Sequence, residues 1–183
     1  MRFSTALFHA KNATLLVLLW AGSLWAYPQL PDAMPGHFDL LGQVSYFTGT
    51  TLARWLLMPM LGLLLTAMLY GIAHLMRRFP GTMHVPDPAT FQHLTPDRRA
   101  VVTHLMQDVV YGIAALVLLV LTVLQVGIYS VAIHEASVLP VYTRTVLWIS
   151  VPLLAALGPV MVWGVHHTTQ RLYQEQTESG QRP

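Results

Sequence analysis

Four apolar stretches, each reaching or approaching the ~20 residues that carry a helix across a bilayer, constrain this chain more than any motif in it. They run from about Ala13 to Tyr27, Leu52 to Met76, Val109 to Ile133 and Thr145 to His166. Only 10% of the 183 residues are charged and 54% are apolar, against about 25% charged in ordinary globular domains. The expected fold is therefore all-α, an integral membrane four-helix bundle. It would occupy residues 1–168, with an external loop at 28–51, a cytoplasmic loop at 77–108 and a polar cytoplasmic tail at 169–183. Cysteine is absent, which removes disulfides, thiolate nucleophiles and cysteine-based zinc sites from consideration.

The first stretch admits two readings. Arg2 and Lys11 ahead of a short apolar core look like the basic front of a secretory signal, with Ala21-Gly22-Ser23 as a weak cleavage site. Its continuation through Trp25, Ala26 and Tyr27, aromatics suited to a membrane interface, favours a retained helix.

Orientation follows from the basic residues, which collect on the cytoplasmic side of short loops. Arg2 and Lys11 precede the first helix, Arg77, Arg78, Arg98 and Arg99 separate the second and third, and Arg171 and Arg182 follow the fourth. The other connections hold only Arg54 and Arg144, each at the edge of a span. A multi-pass protein of the bacterial cytoplasmic (inner) membrane is expected, with both termini cytoplasmic. Its net charge of +2 is accounted for by this asymmetry, so the lipid bilayer is an expected partner and nucleic acid is not.

Between the first two spans lies Tyr27-Pro28-Gln29-Leu30-Pro31-Asp32-Ala33-Met34-Pro35-Gly36-His37-Phe38, closed by Gly42. Proline at 28, 31 and 35 fixes φ and pushes the preceding residues towards extended backbone, so a structured, stiff external loop is expected. Tyr27, Asp32, His37 and Asp39 are the side chains it would display. Further along, Pro59 is expected to kink the second span, and Gly62, Thr66 and Tyr70 form a small-residue packing stripe. The segment from Arg77 to Thr95, with Pro80-Gly81 and Pro86-Asp87-Pro88, reads as irregular. Thr95-Pro96-Asp97 is a helix start, with Thr95 as N-cap and Asp97 favourable to the dipole. A helix from there would run into the third span, where Gln125 should make a helix–helix hydrogen bond. Pro152, Gly158-Pro159 and Gly164 should bend the fourth helix.

The order Leu30, Pro31, Met34, Pro35, His37, Phe38 and Gly42, with Phe47 at an aromatic position and Pro59 in the following helix, resembles the domain of unknown function 1648. That module is also found in SdpI-type bacterial membrane immunity and signalling proteins. The resemblance covers residues of roughly 25 to 65. It implies a membrane-embedded fold and, in the SdpI type, protection against an exported toxic peptide or the holding of a repressor at the membrane. One departure stands out. Where the family pattern carries Lys, this chain has Gly49-Thr50-Thr51, and Arg54 follows a turn later as the available cation. The partner or ligand loop implied is Tyr27, Pro31, Asp32, Pro35, His37, Phe38, Asp39, Gly42 and Arg54.

Two constellations offer chemistry. On the external side His37, with Asp32 and Asp39 nearby and His134-Glu135 on the other loop, supplies the nitrogen and oxygen ligands of a zinc-type site. The competing reading is a His37 hydrogen-bonded to loop backbone and an Asp32 that caps a turn; no compact motif such as His-Glu-x-x-His occurs in the chain. On the cytoplasmic side His74, His104, Asp108, His166 and His167 lie at similar depth, a set suited to haem, metal or proton relay. It is equally suited to polar tips at headgroup level. Arg54 and Arg144 would snorkel outward or pair with Asp32, Asp39 or Glu135.

The expectation is thus a non-catalytic integral membrane protein, binding a peptide or membrane protein through its external loop, with no cofactor. The alternatives are a small membrane metalloprotein or enzyme, using zinc or haem at the histidines, and an accessory subunit of a larger membrane complex.

Overall fold

A computed structural model describes residues 2–79 and 85–180, with side chains from residue 6 onward. The Pro80-Gly81 turn, Arg182 and the Arg2 side chain lie outside the described residues. Helix α1 (Arg2–Ala26) passes through a 3-10 turn, Tyr27–Gln29, into strands β1 (Ala33–Phe38) and β2 (Val44–Gly49). Then follow α2 (Leu52–Trp55), α3 (Leu57–Arg78), α4 (Pro88–His93), α5 (Pro96–His134) and α6 (Val141–Glu178). Four of these stretches are long and apolar enough to cross a membrane: Ala6–Gln29, Leu57–Arg78, Pro96–His134 and Val141–Glu178. The protein is mostly helical and multi-pass.

Helix α5 is the hub. Against it pack α1, α3 and α6, and α6 makes its main helix contact with α5. At 1.5 Å per residue its 39 residues extend about 58 Å, roughly twice the ~30 Å of hydrocarbon. The excess, from Pro96, projects beyond the membrane, where α4 and the end of α6 meet it. Arg98 donates to the Leu172 carbonyl and pairs with Glu175 at 3.6 Å, and the Gln176 amide spans the Thr95 N–H and the His93 carbonyl. The polar stretch after Thr168 therefore continues α6 as docked helix through Glu178. Thr95 occupies the expected N-cap of α5 but makes no side-chain cap bond. Asp87 does cap α4, accepting the Thr90 N–H at 3.1 Å, and that hydrogen bonding, with the Thr90 hydroxyl first, holds its carboxyl below the ordinary 3.8.

Pro59 does not kink the middle of a span. It stands in the first turn of α3, where no intrahelical N–H is required, and the helix breaks just ahead of it at Leu56. In an unbroken helix the N–H of residue 59 would bond the Trp55 carbonyl. Proline has none, and the Gln125 amide of α5 donates to that carbonyl instead, at 3.2 Å. Gln125 is thus the expected helix–helix bond, its partner created by a proline 66 positions earlier in the chain.

Candidate functional site: an anchored hairpin over an apolar cavity

The segment between the first two spans is an antiparallel hairpin, which adds strand to a fold expected to be all-α. Ala33 pairs with Gly49, Met34 with Thr48, Pro35 with Phe47, His37 with Tyr46 and Phe38 with Val44, with register shifts on either side of His37. Pro35 is tolerated because this sheet has two strands, leaving every strand an edge. The Asp39 carboxylate closes the turn, accepting the Leu41 and Gln43 N–H groups at 2.9 and 2.8 Å. Gly42 follows with φ of +80°, a conformation that only glycine takes freely, and a side chain there would also strike Arg144.

Anchoring is extensive. Met34 is buried among Ala26, Trp55, Ile128 and Ala132, with Leu30, Tyr27 and Phe38 packed against the same cluster. Trp55, 1% exposed, donates its indole N–H to the Ser23 carbonyl at 2.6 Å. At the hairpin base the Thr50 hydroxyl donates to the Pro31 carbonyl, and the Thr50 N–H to that of Asp32. Arg54 reaches back to the Thr48 hydroxyl and the Gly49 carbonyl at 2.7 and 2.8 Å, so a cation does stand beside Thr50. At the tip, the Val44 N–H donates to Ser137 and the Leu139 N–H to Gly42, tying the hairpin to the α5–α6 connection.

Beneath the hairpin lies a cavity of about 720 Å³ between α3 and α6, with α5 as its back wall. Leu57, Leu124, Ile128, Leu147, Trp148 and Val151 make its lining mainly apolar, and Arg54 and Arg144 bring it two guanidinium groups. The Arg144 side chain makes no hydrogen bond or ion pair among the described residues, and its Nε is shielded from solvent without a partner.

Among the described residues no three His, Asp or Glu side chains gather as a metal site would require. His37 is exposed on β1 with its ring stacked on Tyr46, while the His134 ring bonds the Ser130 carbonyl within α5 and Glu135 caps that helix with φ of 50°. Asp39, rather than Asp32, is the side chain that caps a turn; Asp32 contributes its carbonyl. Arg54 and Arg144 pair with none of Asp32, Asp39 and Glu135. At the opposite end His74, His104 and His166 are exposed, His167 packs on Trp163 at 5.5 Å, and Asp108 is half-buried. These five do not converge. The polar knot that does form there joins His9, Asn12, Tyr70 and Tyr111. Asn12, 2% exposed, donates to the Tyr70 hydroxyl and the Tyr111 carbonyl, and His9 bonds the same hydroxyl at 3.0 Å.

Residues 14–63 match the family model described as a domain of unknown function (DUF1648). This segment is similar to a DUF1648 domain. The match begins within α1, includes the whole hairpin and α2, and ends in the second turn of α3, so the domain supplies the roof and one wall of the cavity. Helices α5 and α6, outside the matched segment, supply the rest. Within the DUF1648 pattern Leu30, Met34 and Phe38 fasten the hairpin to the helices, Gly42 makes its turn, Pro59 frees a carbonyl, and His37 and Phe47 are exposed. No curated protein and no solved structure gives a significant match to this chain.

Proposed function

We propose that this protein is a non-catalytic recognition protein of the bacterial cytoplasmic membrane, displaying the DUF1648 hairpin on the external side, with both termini cytoplasmic. The partner is an exported peptide or protein segment, and the outcome of its capture is immunity or signalling of the SdpI type. One observation carries the reading: an apolar surface is presented on a hairpin tied down at its base, its tip and its inner face. Leu40 at the tip is 90% exposed, Leu41 61%, and Tyr46 and Phe47 on β2 are also open. Loops hold exposed apolar side chains this firmly where they meet something, because an unanchored loop would fold them away. Beyond its contact at Val44, β2 also has an edge free of strand partners among the described residues, the kind of edge to which an extended peptide adds. The basic residues, concentrated on the opposite side, support the orientation.

Photo-crosslinking tests this while the partner is still unidentified. With benzoylphenylalanine replacing Leu41 or Tyr46, a discrete adduct of peptide or protein mass should appear in cells. A probe at Val162, on the outer flank of α6, should not yield it. Absence of the adduct from both hairpin positions, or its equal appearance from Val162, contradicts the proposal.

A further inference from the structure

We infer that the cavity beneath the hairpin binds one anionic phospholipid from the adjacent leaflet, its phosphate held by Arg144 and Arg54 and an acyl chain lying in the groove between α3 and α6. The cavity shares Leu40 and Tyr46 with the hairpin face, but the inference does not depend on the partner proposed for that face.

The cavity has the polarity of such a molecule. Arg54, in α2, and Arg144, in the first turn of α6, both sit at the hairpin end of the spans, at the level where headgroups begin. Further from that end the lining is apolar, with Leu124 of α5 and Leu147, Trp148 and Val151 of α6. Because α6 packs chiefly on α5, the groove opens sideways, and exposed Leu57, Trp148 and Val151 form its lips. A ligand already in the bilayer enters there without crossing water. About 720 Å³ falls within the ordinary range for small-molecule sites, ~300–1,000 Å³.

Arg144 lies over Gly42, where no other residue would leave room for its stem. Its Nε is shielded, yet neither this nitrogen nor any other on the guanidinium has a protein partner among the described residues. A guanidinium atom removed from water without a partner is unfavourable, and an anion that supplies one relieves it. Arg54 uses Nη1 for Thr48 and Gly49, which aims the rest of its fork. The one carboxylate of the lining, Asp39, is committed through Oδ1 to the hairpin turn, so the cavity keeps an excess of positive charge. Paired donors of this kind suit phosphate oxygens.

Native mass spectrometry of the full chain, released from mild detergent with equal amounts of phosphatidylglycerol and phosphatidylcholine, tests the inference. One phosphatidylglycerol should be retained preferentially, and Arg144→Gln should reduce that preference about tenfold, as loss of a charge-assisted contact does. Arg171→Gln, at the far end of the molecule, should leave it unchanged. Val151→Trp, at an exposed position that folding does not need, should fill the groove and cut lipid retention with both arginines intact. Equal retention of the two lipids, or full preference in both Arg144→Gln and Val151→Trp, overturns the inference. Displacement of the lipid by inorganic phosphate, or by a soluble acidic apolar peptide, overturns it as well, assigning the cations to another ligand.

Discussion

At the scale of single residues, the contacts of Gln125 and Thr143 make opposite predictions. Removing the Gln125 amide leaves the buried Trp55 carbonyl without a donor, so Gln125→Ala should destabilise the protein by about 1–3 kcal/mol, the cost of an unsatisfied buried group. Adding Pro59→Ala supplies a backbone N–H to the same carbonyl, and thermal unfolding should show the double variant less impaired than Gln125→Ala alone. If the two losses simply add, the proline–glutamine exchange is wrong. Thr143, by contrast, buries an unpartnered hydroxyl pressed against Gly127, where a Cβ would stand 2.6 Å from it. Thr143→Ala should be neutral or stabilising, Gly127→Ala harmful, and the pair together close to the parent. Gln125 was legible in the sequence as a helix–helix donor, because an amide in an apolar span has few other uses. Its acceptor was not, since that depends on a missing N–H in another helix. The knot of His9, Asn12, Tyr70 and Tyr111 was hidden for a similar reason: its members are 58 and 99 positions apart along the chain.

At the scale of elements, the proline-rich stretch shows what local preference conveys and what it hides. Three prolines signalled extended, stiff backbone; the chain is extended through Ala33–Phe38, but Pro28 lies in the 3-10 turn Tyr27–Gln29. The strands themselves were not legible, because proline within a run argues against a ladder, an argument that fails when both strands are edges. Gly42→Ala tests the turn. With φ of +80° and Arg144 overhead, it should cost about 1–3 kcal/mol and make the hairpin a target for limited proteolysis. Helix α4 offers a pH prediction. The Asp87 carboxyl is held below 3.8 in the folded protein by the Thr90 hydroxyl and N–H, with the charge of His166 adding to the effect. Its contribution to stability is therefore fully present above 3.8 and is lost as pH falls through the lower, folded value. Protection of the amides of residues 89–93, taken relative to the intrinsic exchange rate at each pH, should stay unchanged from neutral pH down to about 4 and fall below it; in Asp87→Ala it should be low at every pH.

For the whole molecule, the number of spans was plain in the hydropathy, because each must satisfy its own backbone in lipid and therefore shows as a long apolar run. Their arrangement was not, since lipid-facing and helix-facing side chains are equally apolar and leave no stripe to read. Nothing in the sequence pattern set α5 at the centre or α6 aside, and the cavity exists only because of that separation. Nor did the polar end of α6 announce that it would dock on α4 and the start of α5. The proposed function requires the hairpin and the termini to lie on opposite faces of the membrane. A chain without cysteine permits a direct measurement: single cysteines at Leu40→Cys and Ala89→Cys, treated in intact cells with a membrane-impermeant maleimide. The proposed orientation predicts labelling at position 40 and none at 89 until the membrane is opened. The reverse pattern would contradict it.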